Sequence, residues 1–307
     1  MSSLNNDGSK IQQDTKTTKH TGFCIEVTDT VTDARLLCHS LAANGEGLLP
    51  IPPVPQDNIP TLDQSLLANL TFQLNSLDAS SLVLAGSNVT SWKAGVSATP
   101  PYVLGGVPNV AATLVTDEYS KGGFARPVVR FANGEYSPLG GGPIITSSFY
   151  TIYFLVGKAL PTVNPNYLFR STGEGSQNTV LVSISTNGAV NGQQRDDPFT
   201  GQAFVTLPDG TVVGVEGELE LISLTRESDK TLTFRWNNDT TATSSPAVSP
   251  DIDWSHAQAN SAIGGDFGGR AELVDIAEFL VFDKTHDAAE RGLVASYIKE
   301  KWPTQLA

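Results

Sequence analysis

Short strand-like segments, separated by glycine- and proline-rich turns, run through most of the chain and constrain its fold more than any other feature. Leu70, Phe72 and Leu74 alternate with polar residues, a pattern typical of a strand with one buried face. The stretch Phe149–Val156 is apolar at both parities, as in a central strand that is covered on both faces. These patterns predict an all-β protein built as an antiparallel β-sandwich or jelly roll.

Later segments continue the same pattern. Val180–Thr186 runs into Asn187-Gly188, a dipeptide typical of hairpin turns because both of its residues tolerate positive φ. Leu232–Trp236 alternates apolar and polar residues, and Val274–Phe282 is long enough for a last central strand. We therefore expect strands from about residue 62 to residue 282.

One helix is predicted, at the C-terminal end. Asp287 and Glu290 have the spacing of a capping box, and Pro303 would end the helix. Its predicted apolar face consists of Leu293, Val294, Tyr297, Ile298 and Trp302. We expect all of these residues to have a structural role.

The N-terminal region has a different composition. Residues 1–20 contain almost no apolar side chain, which predicts an extended arm that is flexible or ordered only on a partner. Phe23, Ile25 and Val27 alternate in the stretch that follows. We expect them to anchor the arm, by burial or by adding a strand to a partner's sheet.

A proline-rich connector separates this region from the rest of the chain. Leu48–Pro55 contains four prolines, which favour an extended and semi-rigid backbone. The sequence therefore predicts an attachment region at residues 1–61 and a sandwich at residues 62–307.

Charge and hydropathy exclude several classes of partner. The formal net charge is −13, and such a surface repels phosphate backbones and anionic lipid. The N-terminus lacks the apolar region of a secretory signal, and no apolar run is long enough to span a membrane. We therefore expect a protein made in the cytosol, with no nucleic-acid partner and no membrane insertion.

Several stretches, taken in their order along the chain, resemble a known domain family. They are Leu77–Ser80, Asn88–Lys93, Arg126–Phe131, Phe149–Val156, Asp275–Asp283, Asp287–Arg291 and Tyr297–Trp302. Residues 62–307 are similar to concanavalin A-like lectin/glucanase domains, also called laminin-G-like jelly rolls, as found in bacteriophage structural proteins. The resemblance implies two curved antiparallel sheets, but it does not imply a single function.

Three glutamates at alternate positions are the candidate catalytic residues. In a strand, Glu216, Glu218 and Glu220 would share a face with neighbours about 6.5–7 Å apart, within the range for carboxylate pairs of glycosidases. Glucanases of the family that the chain resembles carry a Glu-x-Asp-x-(x)-Glu strand. The three glutamates match this pattern in part, because Glu218 replaces the central aspartate. The alternative is a solvated strand face, which we favour.

Carboxylates also gather around the glycine-rich segment Ile263–Arg270. Asp266, Glu272 and Asp275 have the oxygen ligands that calcium prefers, but their spacing matches no known calcium loop. We expect no cofactor, with calcium at these residues as the alternative to ordinary loop solvation.

Four soft ligands lie in the N-terminal region. Zinc would need His20, Cys24, Cys38 and His39 to converge, and adjacent residues rarely bind one metal. Buried free thiols are the simplest interpretation of the cysteines, and a disulfide between them is the other alternative.

Aromatic residues are the candidate ligand contacts. Trp254 lies between Asp253 and a polar loop and close to Asp251, and its ring could stack on the apolar side of a sugar. We name Trp254, Asp251 and Asp253 as the candidate ligand-binding residues.

The sequence as a whole favours a non-enzymatic structural or display protein. The leading hypothesis is a bacteriophage virion component, either a head decoration, a fibre or a tail protein. Its arm would dock on a capsid or tail protein, and its lectin-like sandwich would bind host surface glycans. A free carbohydrate-binding lectin and a glycoside hydrolase are the alternatives, and a homo-oligomer would suit a displayed protein.

Overall fold

A computed structural model describes two units of the chain, Met1–Pro53 and Val54–Ala307. In the first unit it describes the backbone of four strands. In the second unit it describes residues 60–97, 112–116, 118–119, 126–131, 137–139, 144–160, 166–172, 179–185, 189–195, 202–207, 218–237, 240–243, 251–252, 260–264 and 273–302.

The first unit contains a small antiparallel sheet in which the strands follow chain order. They are β1 (Ser3–Leu4), β2 (Lys10–Gln13), β3 (His20–Val27) and β4 (Arg35–Ala42). The structure differs here from the extended arm expected for residues 1–20, because the backbones of β1 and β2 pair with each other. Phe23, Ile25 and Val27 lie on β3, which pairs with a strand on each side. A partner strand could therefore add only at the outer edges of this sheet.

The described residues of the second unit form seventeen strands, two α-helices and one short 3-10 helix, Ala79–Ser81. The strands are β5 (Leu70–Asn75), β6 (Leu82–Ala85), β7 (Asn88–Trp92), β8 (Val96–Ser97), β9 (Ala112–Val115), β10 (Val128–Phe131), β11 (Ser137–Leu139), β12 (Tyr150–Leu160), β13 (Asn166–Thr172), β14 (Thr179–Ile184), β15 (Val190–Arg195), β16 (Gln202–Thr206), β17 (Glu220–Arg226), β18 (Leu232–Trp236), β19 (Thr240–Thr243), β20 (Asn260–Ile263) and β21 (Leu273–Phe282). The helices are α1 (Gln64–Leu67) and α2 (Ala288–Lys301).

These strands form two antiparallel sheets. The larger sheet has eleven strands, with the order β19-β18-β17-β12-β21-β10-β9-β7-β6 and with β5 and β8 attached beside β21. The smaller sheet has six strands in the order β11-β20-β13-β14-β15-β16. β21 is the central strand of the larger sheet, since it pairs with β12 along one edge and with β10 and β5 along the other.

The core lies between the two sheets. Phe154 and Phe279 of the larger sheet stack with ring centroids 4.7 Å apart, and Phe169 of the smaller sheet lies 5.3 Å from Phe279. A glycine is needed on β15 at position 192, because a Cβ atom there would lie 2.5 Å from the Phe234 ring of the larger sheet. The predicted all-β sandwich is confirmed, and all three rings are fully buried.

The predicted strands correspond closely to observed ones. β5 alternates buried and half-buried residues, as its sequence indicates. β12 lies between β17 and β21 and is buried on both faces over residues 150–157. β14 and β15 form the predicted hairpin, but Ser185 N–H bonds Ala189 C=O, so its loop is longer than a two-residue turn.

The predicted C-terminal helix is also confirmed. Asp287 and Glu290 form a complete capping box at the start of α2. The helix buries Val294, Tyr297 and Ile298 against the outer face of the larger sheet, the face turned away from the core. Leu293 was wrongly assigned to this apolar face, since it is 39% exposed.

Neither α-helix in the described parts of the chain is long and apolar enough to cross a membrane.

Candidate functional site

A polar surface with one exposed aromatic ring covers part of the outer face of the six-stranded sheet. Arg170, Leu181, Gln193 and Phe204 are successive register partners across β13, β14, β15 and β16. We call these four residues the cross-strand row. Three strand spacings separate its ends, which is about 14 Å.

The row belongs to the outer face because the residues beside it point into the core. On β16, Ala203 and Val205 are buried in the core, whereas Gln202 and Phe204 are exposed. On β15, the side chain of Gln194 is buried, and its Oε1 atom accepts a 2.6 Å hydrogen bond from Tyr150. Gln193 therefore lies on the solvent side of the same strand.

Exposure along the row is greatest at the edge strand β16. Ala262, the register partner of Arg170 on β20, is fully buried, and Leu181 is 6% exposed. Phe204 at the other end is 46% exposed, although a ring of this size is usually buried. The accessible part of the row is thus formed by β15 and β16.

Hydrogen bonds hold the polar side chains that flank the row. Thr206 Oγ1 donates to Asn191 Oδ1 at 2.9 Å, and Asn191 Nδ2 donates to Ser185 Oγ at 2.7 Å. On the other side of the row, Arg195 Nε donates to Thr179 Oγ1 at 3.1 Å. Because these groups are held by the sheet, little conformational entropy would be lost when they bind a ligand.

This surface has the chemistry of a site for polar ligands with apolar faces. An exposed phenyl ring can cover the C–H face of a sugar ring, and a glutamine side chain can both donate to and accept from sugar hydroxyls. Sequence reasoning did not find it. The sequence of β16 held one signal for it. Phe204 lies at an alternate position with Gln202 and Thr206, on the side of the strand that otherwise carries polar residues.

Of the predicted ligand contacts, only Asp251 lies among the described residues; Trp254 and Asp253 fall outside them. Asp251 accepts hydrogen bonds from Lys230 Nζ at 2.6 Å and from the buried Arg226 at 2.9 Å. These bonds lower the pKa of Asp251, with Lys230 making the larger contribution. The structure therefore gives Asp251 the role of tying its segment to the end of β17.

The predicted glutamate strand is only partly described, because Glu216 lies outside the described residues. Glu220 is 5% exposed at the start of β17, and Glu218 before it is half-buried. Leu219 and Leu221 are buried too, so this segment is covered on both sides and is not the solvated face that we expected. The glycosidase hypothesis remains a prediction.

Among the predicted calcium ligands, Asp275 is described, whereas Asp266 and Glu272 lie outside the described residues. Asp275 is fully buried, and both of its oxygens accept from Arg130, at 2.7 Å and 2.6 Å. Tyr119 donates a further bond of 2.6 Å. A calcium ion at Asp275 would have to displace the guanidinium, whose own pKa these hydrogen bonds raise. In the described parts of the chain, no cluster of carboxylates, histidines and cysteines has a metal-site arrangement.

A buried polar cluster joins α2 to the larger sheet. Glu278 on β21 accepts from both Tyr297 and Trp302 at 2.7 Å, and Lys301 donates to both of its oxygens at 2.9 Å. Gln73 on β5 adds a 2.7 Å bond. Burial lowers the pKa of Lys301, while the Glu278 carboxylate opposes this effect. We assign the cluster a structural role, because the carboxylate is surrounded by donors and 1% exposed.

We expect the burial of His286 to make the stability of the fold dependent on pH. It is 1% exposed, packs 4.3 Å from the Phe282 ring and contacts the Tyr153 hydroxyl through Nδ1 at 3.0 Å. Burial lowers its pKa from 6.5 to about 4. Between these values the unfolded chain binds a proton that the folded chain does not, so stability is lost as pH falls from 6.5 towards 4. We expect a loss of about 2–3 kcal/mol from this residue.

Urea unfolding at pH 7 and at pH 4.5 measures this effect. A His286→Phe variant should retain the aromatic packing and should lose about 2–3 kcal/mol less than the natural protein on acidification. The difference between the two proteins measures the contribution of His286 together with its electrostatic coupling to Glu290, whose pKa His286 helps to lower. Equal losses in the two proteins would show that His286 does not carry the dependence.

Taken together, these features define an antiparallel β-sandwich with a polar, aromatic-bearing sheet face. No protein-family model matches the chain, and no curated protein matches it either. Several solved structures resemble it at low identity. The CBM40 domain of Ruminococcus gnavus IT-sialidase has 15% identity and a TM-score of 0.43, over 55% of this chain and 96% of that domain.

Other similar structures are parts of larger proteins. The binding domain of Paraclostridial Mosquitocidal Protein 1 has 13% identity and a TM-score of 0.49, over 76% of this chain and 52% of that one. The NanB sialidase of Streptococcus pneumoniae has 17% identity and a TM-score of 0.40 over 50% of this chain, and the match spans only 24% of the sialidase. All three likenesses are too distant to identify a ligand for this chain.

Proposed function

We propose that this chain is a non-enzymatic, lectin-like protein that binds glycans on the outer face of its six-stranded sheet. The observation that carries the proposal is Phe204, a 46% exposed ring directly opposite Gln193 on the neighbouring strand. The ring would stack on a sugar, and Gln193 and Gln202 would bond its hydroxyls. The accessible residues Gln193 and Phe204 lie one strand spacing apart, about 5 Å, which suits contact with a single sugar ring.

An oligosaccharide array probed with the full chain tests this proposal. Three proteins are compared: the natural chain, Phe204→Ala, and Trp254→Ala, which removes the contact predicted from sequence. Binding that is lost only in Phe204→Ala supports the outer face. Binding lost only in Trp254→Ala would transfer the site to the loop after Asp251, and the absence of any bound glycan would contradict the lectin proposal.

We further propose that the N-terminal unit attaches the sandwich to a larger assembly. Two observations support this idea: the internal contacts of Met1–Pro53 are separate from those of Val54–Ala307, and a proline-rich stretch joins the two units. A bacteriophage virion is the assembly that the sequence favours, with a capsid or tail protein as the partner. A free lectin without a partner is the alternative, and a glycoside hydrolase using Glu216, Glu218 or Glu220 is a weaker one.

Deletion of residues 1–53 tests the attachment proposal. We expect the remaining chain to keep its thermal unfolding transition and its glycan binding, because its core lies within residues 54–307. It should no longer co-sediment with the large particle of its native source. Retained co-sedimentation, or a natural chain that sediments as a small free species, would contradict this proposal and leave the lectin proposal intact.

A further inference from the structure

The two cysteines of the chain lie directly opposite each other in the N-terminal sheet. Cys24 on β3 and Cys38 on β4 are register partners in an antiparallel pair that extends over eight positions. Their neighbours, Ile25 with Leu37 and Phe23 with His39, continue the same register without a shift. The pairing therefore fixes both cysteines on the same face of the sheet.

This placement meets the geometric requirement for a disulfide. Opposite residues of antiparallel strands have Cα atoms about 4.5 Å or about 5.5 Å apart, depending on the hydrogen-bonding site. A disulfide joins Cα atoms about 4.4–6.8 Å apart. The two strands would not have to move for the bond to form.

The same register disfavours a zinc site built from the four soft ligands. His39 follows Cys38 directly, so the two residues lie on opposite faces of β4. His20 shares a face with Cys24 but is four residues away along β3, a distance of about 13 Å. Four ligands on this hairpin therefore do not converge on one metal ion.

We propose that Cys24 and Cys38 form a cross-strand disulfide that links β3 to β4. A small-molecule disulfide, such as oxidised glutathione, supplies the oxidising power. One cysteine thiolate attacks it and releases one glutathione thiol, and the second cysteine thiolate then displaces the other. The two cysteines together lose two protons and two electrons, one S–S bond forms in the chain, and the reagent is reduced to two thiols.

The bond would stabilise a small unit. The unit has 53 residues, and small domains commonly depend on covalent links because they bury little apolar surface. A hairpin by itself is marginally stable in water, and a covalent link between its two strands stabilises it by restricting the unfolded chain. Arg35 at the start of β4 is a trypsin site within the linked hairpin, and its cleavage should become at least tenfold slower on oxidation.

Mass spectrometry of the full natural chain tests the proposal directly. The protein is incubated with oxidised glutathione, denatured without reductant, and alkylated with iodoacetamide. We expect a monomer that carries no alkyl group or glutathione and that gains two alkyl groups after prior reduction. Cys24→Ser is the matched control, because its single thiol should be alkylated or remain glutathionylated.

Two outcomes would overturn the proposal. One is a natural chain that keeps two modifiable thiols, or two glutathione adducts, after oxidation. The other is a chain that links only to a second copy, which would show that the cysteines are not paired within one hairpin. Neither outcome depends on the glycan proposal, so the two inferences can fail separately.

Discussion

Replacement of Glu278 by alanine is expected to destabilise the sandwich by about 3–5 kcal/mol. The change removes a carboxylate that Lys301, Tyr297, Trp302 and Gln73 all contact. The ammonium group of Lys301, whose side chain is 1% exposed, would then have no carboxylate partner in this cluster. A buried charge without a partner lowers the free energy of unfolding by more than the original ion pair raised it. The expected loss of stability is therefore large.

Chemical denaturation of three variants measures the effect. Lys299→Met lies on an exposed part of the same helix and should change stability by less than about 0.5 kcal/mol. The double variant Glu278→Leu with Lys301→Met removes both charges and should be less destabilised than Glu278→Ala alone. A Glu278→Ala protein as stable as the natural one would show that α2 is not held to the sheet through this carboxylate.

The second large effect is expected on ligand binding. Phe204→Ala should weaken the affinity for a glycan identified on the array by about tenfold or more, because truncation of an aromatic residue that carries a binding contact commonly costs about 2 kcal/mol. Gln193→Ala should weaken it too, since the amide faces the same ligand. Isothermal titration calorimetry measures both dissociation constants.

A matched control lies on β6, the last strand of the larger sheet, whereas the cross-strand row lies on the smaller sheet. Val83 on β6 is 44% exposed, so Val83→Ala removes a similar exposed apolar group far from the cross-strand row. We expect its affinity to equal that of the natural protein. Equal affinities for Phe204→Ala and Val83→Ala would exclude the outer face of the six-stranded sheet as the binding site.

The elements that sequence reasoning predicted correctly are those whose signals are local. β12 was recognisable because every residue of Phe149–Val156 except Thr151 is apolar or aromatic. The start of α2 was recognisable because Asp287 and Glu290 lie three residues apart. Leu293 was misplaced because helical periodicity alone does not say which edge of an apolar stripe contacts the sheet.

The candidate site could not be predicted in the same way, because it depends on strand pairing. Arg170 and Phe204 belong to one row only through the successive registers of β13, β14, β15 and β16. The same is true of Glu278 and Gln73, which are 205 residues apart in sequence and 2.7 Å apart in space. Asp275 was grouped with calcium ligands by composition, whereas the fold pairs it with Arg130.

The most direct test of the central claim is an amide chemical-shift map of the protein titrated with its glycan. We expect the largest shifts in β15 and β16, around Gln193 and Phe204, and smaller ones at Arg170. Amides of the larger sheet, including β6, should not move. Shifts concentrated in the loop around Trp254, with β15 and β16 unchanged, would contradict the claim.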